Sequence, residues 1–286
     1  MQIRKAQRKK AKIKMAMQGP SGSGKTYSSL LLAKGLVGDL SKVCIIDTEN
    51  NSADLYSHLG SYNVLNLQAP FTPERYIEAI TKAEESDMEL IIIDSLSHGW
   101  EYLLEYHSSL SGNSFANWGK VTPRQRSLVN KILTSNKHII ATMRVKQDYV
   151  MTENQKGKLE PRKVGLKPIQ RDGVDYEFTL VFELDHSNFA KASKDRTGQF
   201  WNAPDFKISE QTGIQIKEWC DEGIAIDQIK DRISSTKSIQ ELLELYKRYP
   251  THSQHLKDAF SQRKQELTNN FISNEKTHKN GTVNHQ

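Results

Sequence analysis

The sequence predicts an α/β protein, a mainly parallel sheet flanked by helices, with a small helical appendage toward its C-terminal end. Three observations predict it. A short strand at 12–17 runs through the glycine-rich stretch Gly19-Pro20-Ser21-Gly22-Ser23-Gly24-Lys25-Thr26 into an apolar helix around Leu30, Leu31, Leu32, Ala33, Leu36 and Val37. Short apolar runs at 42–47, 90–95 and 138–142 alternate with amphipathic stretches, as expected of strands covered on both faces by helices. Beyond about Pro204 the pattern is helical only.

Each element has its own signal. Gly38 closes the first helix, and the strand at 42–47 ends in Asp47-Thr48-Glu49-Asn50. A strand at 63–67 leads to Ala69-Pro70. Thr72-Pro73-Glu74 then opens a helix whose apolar face is Tyr76, Ile77, Ile80 and Ala83. The run Leu90-Ile91-Ile92-Ile93-Asp94-Ser95 is the clearest buried strand, and Trp100, Leu103, Leu104 and His107 mark an amphipathic segment after it. Residues 108–119, rich in Ser, Asn and Gly, read as a flexible loop before a helix opened by Thr122-Pro123, with Leu128, Val129, Ile132 and Leu133 inward. After the strand at 138–142, residues 144–171 carry eight basic residues against three acids, with few apolar anchors. A long strand at 176–184 pairs with 189–192, before Lys194-Asp195-Arg196-Thr197-Gly198. Helices are expected at 212–221, 226–234, 238–248 and 254–267, the third opened by the Ser238…Glu241 capping box and ended by Pro250. From Thr268 the chain is polar and aperiodic, and disorder is expected. The organisation is therefore a basic arm at 1–11, a core at 12–205, a small helical region at 206–267 and a tail at 268–286.

Composition narrows the class. No run approaches the ~20 apolar residues of a membrane span, nor does the N-terminus carry a signal-peptide pattern. Cys44 and Cys220 make no disulfide framework, so the expected location is the cytoplasm, with no membrane partner. The net charge of +6 is uneven: residues 1–38 hold nine Lys/Arg and no acid, leaving −3 for the rest. Arg4, Lys5, Arg8, Lys9, Lys10, Lys12 and Lys14 precede the glycine-rich stretch. Such an arm suits a polyanion such as nucleic acid and equally a plain solvated terminus.

Residues 19–26 fit the phosphate-loop pattern G-x-x-x-x-G-K-[ST] at every fixed position, in the strand–loop–helix context that makes the match meaningful. Backbone N–H groups of such a loop cradle the β- and γ-phosphates of ATP at a helix N-terminus. Lys25 neutralises phosphate charge, the Thr26 hydroxyl is a ligand for Mg²⁺, and Tyr27 follows them in the nucleotide-binding set. Asp94, at the end of an apolar strand, is the expected second Mg²⁺ acid. Its neighbour is Ser95, so the carboxylate that polarises water must come from elsewhere. Glu49 is the candidate general base, because neighbouring parallel strands deliver their C-terminal ends to one edge; a capping or surface carboxylate is the alternative.

Taken together, residues 19–26, Val43-Cys44-Ile45-Ile46-Asp47-Thr48-Glu49 and Ile91-Ile92-Ile93-Asp94-Ser95 resemble the core of RecA-like recombination ATPases. The arrangement as a whole is most similar to phage-encoded RecA-like ATPases of the single-strand-annealing type, over roughly residues 12–205. The resemblance implies a RecA-type P-loop NTPase core with Glu49 as catalytic glutamate and Tyr56 stacking on adenine. It implies that Lys194 and Arg196 match the Lys-x-Arg pair with which RadA and KaiC relatives reach a neighbour's γ-phosphate, giving a ring or short filament of identical subunits. It implies mobile DNA loops at 108–120 and 146–167, with Lys146, Tyr149, Lys156, Lys158, Arg162, Lys163, Lys167 and Trp118 as candidates for single-stranded DNA. The family's nucleotide-sensing glutamine is replaced here by Thr142-Met143-Arg144, and its N-terminal polymerisation element is missing. The expected function is ATP hydrolysis coupled to binding, annealing or pairing of single strands. The alternative is a nucleotide-switched loader or adaptor that docks a helicase, an annealing protein or a single-strand-binding protein.

Overall fold

The computed structural model describes residues 11–153, 159–221, 226–248 and 256–279. The chain divides into two compact units, Lys12–Lys217 and a smaller one to which Ala11 and the described residues from Glu218 onward belong. The larger unit is the α/β fold expected from the sequence. Its strands are β1 (Lys14–Gly19), β2 (Val43–Asp47), β3 (Asn63–Asn66), β4 (Leu90–Asp94), β5 (His138–Glu153), β6 (Leu159–Pro168), β7 (Leu180–Leu184) and β8 (Ala190–Asp195). They lie in the order β3-β2-β4-β5-β1-β7-β8, with β6 paired to β5. The pairs among β1, β2, β3, β4, β5 and β7 are parallel, whereas β8 on β7 and β6 on β5 are antiparallel. Strands β1, β2 and β4 are buried along their whole length, which is why β2 and β4 read as continuous apolar runs; in β1 the buried set includes Lys14 and Gln18.

The helices are α1 (Lys25–Val37), α2 (Pro73–Glu85), α3 (Ser97–Ser109), α4 (Ser114–Thr134), α5 (Glu210–Asp221), α6 (Ile226–Ser235), α7 (Ile239–Arg248) and α8 (Lys257–Lys279). The Thr72 hydroxyl caps α2 by accepting from the Arg75 N–H at 3.3 Å. Tyr76, Ala79, Ile80 and Ala83 of α2 and Leu128 and Ile132 of α4 bury against Ile91, Ile93, Ile139 and Ala141 of the sheet. Cys44 and Cys220 are both free and buried.

Four sequence expectations are corrected. Residues 108–119 are mostly helical: α3 runs to Ser109, and Asn113 caps α4, its Oδ1 accepting from the Ala116 N–H. The helix therefore does not open at Thr122-Pro123; Pro123 lies inside it. A loop-like composition concealed the stripe Asn117, Val121, Gln125, Leu128 and Ile132, which has helical spacing and is buried throughout. Residues 146–167, expected as a loop, belong instead to an antiparallel hairpin of β5 and β6 where described. The strand at 176–184 is split into a 3-10 turn, Val174–Glu177, and β7. Finally, α8 continues to Lys279, where a disordered tail was expected from Thr268 onward.

Candidate nucleotide site

Parallel pairing brings Gly19, Asp47, Asp94 and the segment Thr142–Arg144 to one edge of the sheet, with Gly19 opposite Arg144 and Asp47 opposite Asp94. Gly22 and Gly24 have φ of 78° and 80°, the left-handed conformation that glycine adopts without a steric cost. A Cβ on Gly19 would lie 2.5 Å from Ser23 Oγ and 2.8 Å from the Leu184 carbonyl, so the strand end needs a glycine too. Ser23 Oγ is buried without a hydrogen-bond partner among the described residues. Lys25 Nζ donates to the Gly19 and Pro20 carbonyls at 2.9 and 2.8 Å. Burial pulls its pKa down, and Asp94 and Glu49 act against that shift.

Asp94 is clasped by two hydroxyls, with Thr26 Oγ1 donating to Oδ2 and Thr142 Oγ1 to Oδ1, each at 2.5 Å. Burial pushes its carboxyl pKa up, as do the charges of Glu49 and Asp47, while the two hydroxyl bonds pull it down. The donor set fits the expected ligands. A hydroxyl and a carboxylate side by side are the hard oxygen donors that Mg²⁺ takes, and the loop has an orphan buried hydroxyl and a backbone only glycine can supply, as a phosphate cradle requires.

Glu49 follows β2 on a turn tied by Asp47, whose Oδ1 accepts from the Glu49 N–H at 2.6 Å and Oδ2 from the Ala53 N–H at 3.0 Å. Its carboxylate is held bidentately by Arg144, with Nε donating to Oε1 at 2.9 Å and Nη2 to Oε2. His98 Nε2 lies 4.0 Å from Oε1, and its Nδ1 shares a 2.7 Å hydrogen bond with Thr48 Oγ1. Burial alone would raise the Glu49 pKa, but the Arg144 fork and His98 more than offset it, holding the carboxyl below its ordinary value. Glu49, Asp94, Lys25 and Thr26 are thus brought together.

Tyr27 and Tyr56 meet edge to face with ring centroids 5.9 Å apart. Lys194 and Arg196 are placed elsewhere. β8 is antiparallel to β7, with Asp195 opposite Leu180 and Ala190 opposite Leu184, so both cations stand toward the edge opposite the phosphate loop. There both side chains donate to the Tyr176 carbonyl. Trp118 is half-buried on α4, stacked on His107 at 4.2 Å and Trp100 at 6.1 Å, rather than carried by a mobile loop. Lys146 pairs across the hairpin with Lys167, and Tyr149 with Lys163; Arg162 lies on β6. Lys156 and Lys158 lie outside the described residues. Trp118, Lys146, Lys167 and Arg171 line one cleft of about 580 Å³.

The family model described as an AAA domain matches residues 11–207. The chain belongs to this AAA-domain family. No curated protein matches it. The AAA domain covers the phosphate loop, Glu49, Asp94 and β1 to β8, which makes the larger unit a P-loop NTPase-type domain of the nucleotide-binding ATPase class. Among the described residues, no helix is long and apolar enough to cross a membrane. Sequence reasoning missed the contacts that Arg144, His98, Thr142 and Asp47 make in this site. Thr142 ends the apolar run of β5 beside the strand of Asp94, and that placement was a usable signal; Asp47, whose backbone-tying role depends on the turn it holds, had none.

Proposed function

We propose that this AAA domain hydrolyses ATP in a RecA-like manner and acts on single-stranded DNA, binding it and annealing or pairing strands in phage recombination or replication. The observation that carries this reading is the path of β5. Its residue Thr142 holds Asp94 and Arg144 holds Glu49, and the same strand then continues to Glu153 as one arm of the basic hairpin. A ligand on the hairpin that favours one arrangement of β5 over another would therefore bias the strand that holds both acids.

The loop N–H groups and Lys25 hold the phosphates, while Tyr27 and Tyr56 offer the base an aromatic wall. Thr26 and Asp94 hold Mg²⁺, which when bound neutralises charge on the phosphate oxygens. Glu49 takes a proton from the attacking water, and it becomes a stronger base when Arg144 lets go of it. Lys194 and Arg196 stand too far round the sheet for their own loop, so they serve a neighbouring copy in a ring or short filament. Single-stranded DNA lies along the cleft, against Lys146, Lys167 and Trp118.

ATP turnover measured with single-stranded DNA, duplex DNA and no DNA tests this. Stimulation by single strands is expected; turnover indifferent to DNA, with no salt-sensitive binding, would leave the nucleotide-switched loader or adaptor. Lys146→Ala and Lys167→Ala should each flatten the slope of log K against log salt by about 0.7, the value for one lost phosphate contact on a single strand. For the shared site, mixing Lys25→Ala with Arg196→Ala subunits should restore turnover that neither has alone. No recovery in the mixture would argue against sharing between copies.

A further inference from the structure

The smaller unit packs α6, α7 and α8 around Ile229, Ile233, Leu242, Leu256 and Phe260. Helix α7 carries more apolar surface than that core uses. Ile239, Leu243 and Tyr246 are 48%, 52% and 46% exposed, and with Leu242 they form one stripe at i, i+3, i+4 and i+7. Facing them, α8 presents Lys257, Phe260, Ser261 and Lys264 at the same spacing, and the two stripes line a groove of about 310 Å³. Tyr246 stands edge-on to Phe260 at 5.2 Å in it. Three large exposed apolar side chains along one groove mark an interaction surface rather than scattered solvent contacts.

Charge selects the occupant. The groove is lined by two lysines and no acid. Three acids of the two helices are engaged elsewhere: Glu241 accepts from the Lys237 N–H at 2.7 Å, Glu244 lines another flank of α7, and Glu266 pairs with Arg263 at 2.7 Å; Asp258, in the first turn of α8, does not line the groove. A second copy seated symmetrically would set lysine against lysine. The chain's own residues 1–10, with Arg4, Lys5, Arg8, Lys9 and Lys10 and no acid, have the wrong sign as well. We propose that the groove docks an acidic amphipathic helix of a partner protein, its apolar stripe on Leu243, Tyr246 and Phe260 and its flanking carboxylates on Lys257 and Lys264. Docking of such a helix requires neither nucleotide nor DNA.

The test uses the full chain, without nucleotide or DNA. The probe is a fluorescein-labelled helical peptide with Leu at i, i+3, i+4 and i+7 and Glu on both flanks, compared by anisotropy with a counterpart carrying Lys in place of Glu. The acidic peptide should bind at least about tenfold more tightly, a difference of about 1.4 kcal/mol. Leu243→Glu and Lys264→Glu, both at exposed positions, should each weaken it about tenfold with helicity unchanged by circular dichroism, and Lys257→Glu with Lys264→Glu should reverse the preference. Equal binding of the two peptides, no binding, or indifference to these variants overturns the proposal. So does a fall in oligomeric mass on Leu243→Glu in sedimentation, because the occupant is then a second copy.

Discussion

Glu49→Gln is expected to lower ATP turnover by about 10²–10⁴-fold, the usual contribution of a positioned general base, while ATP binding persists. The amide keeps the shape but cannot take a proton. Equilibrium binding of a fluorescent ATP analogue beside steady-state turnover separates the two effects, and turnover retained in the variant would remove Glu49 from its role. The Arg144 fork makes a second, sharper expectation possible. A carboxylate accepts a proton only when ionised, so if Glu49 is the proposed base, kcat/KM should fall as pH drops through its pKa. Arg144 holds that pKa below its ordinary value, which places the acid limb of the profile at low pH. In Arg144→Ala the pKa rises, and the limb should move to higher pH. Because Arg144 sits on the strand that becomes the hairpin, the same variant should also bring turnover with and without single-stranded DNA toward equality. A merely structural role for Arg144 would lower both rates without moving the pH limb.

Gly213→Ala and Gly35→Ala should each destabilise the larger unit by about 3 kcal/mol or more, toward the upper end for overpacking. A Cβ on Gly213 would stand 2.1 Å from the Leu32 carbonyl, and one on Gly35 would stand 1.9 Å from the Glu210 carbonyl. Both intruded atoms are backbone, so no rotamer change relieves the clash; α5 has to move off α1. At about 2–4 °C per kcal/mol for a unit of this size, calorimetry should show a fall in Tm of about 6–12 °C. Gly119→Ala is the control, since a Cβ there meets nothing within 4 Å. A Tm unchanged by Gly213→Ala would mean that α5 does not lie against α1 in solution.

These two expectations differ in how far the sequence alone reaches. The placement of Glu49, Asp94 and the phosphate loop at one edge was legible because each stands at or just past a strand end, and parallel strands must deliver such ends to a common edge. Pro123 and the serine- and asparagine-rich stretch before it misled for the opposite reason. Local composition there argues for a loop, and only burial of Asn117, Val121 and Gln125 against the rest of the unit makes a helix pay.

By itself, then, the sequence determined the α/β class, the glycine-rich loop and the strand-end positions of Glu49 and Asp94, because periodicity and strand ends are properties of short stretches. Tertiary structure alone decided four things. These are the Arg144 grip on Glu49, the Thr142 bond to Asp94, the backbone contact at Gly35 and Gly213, and the standing of Lys194 and Arg196 at the far edge. Each joins residues roughly fifty to nearly two hundred positions apart or depends on which way a strand runs. Local pattern carries no record of such pairings, because strand order and direction are set by how the whole core closes.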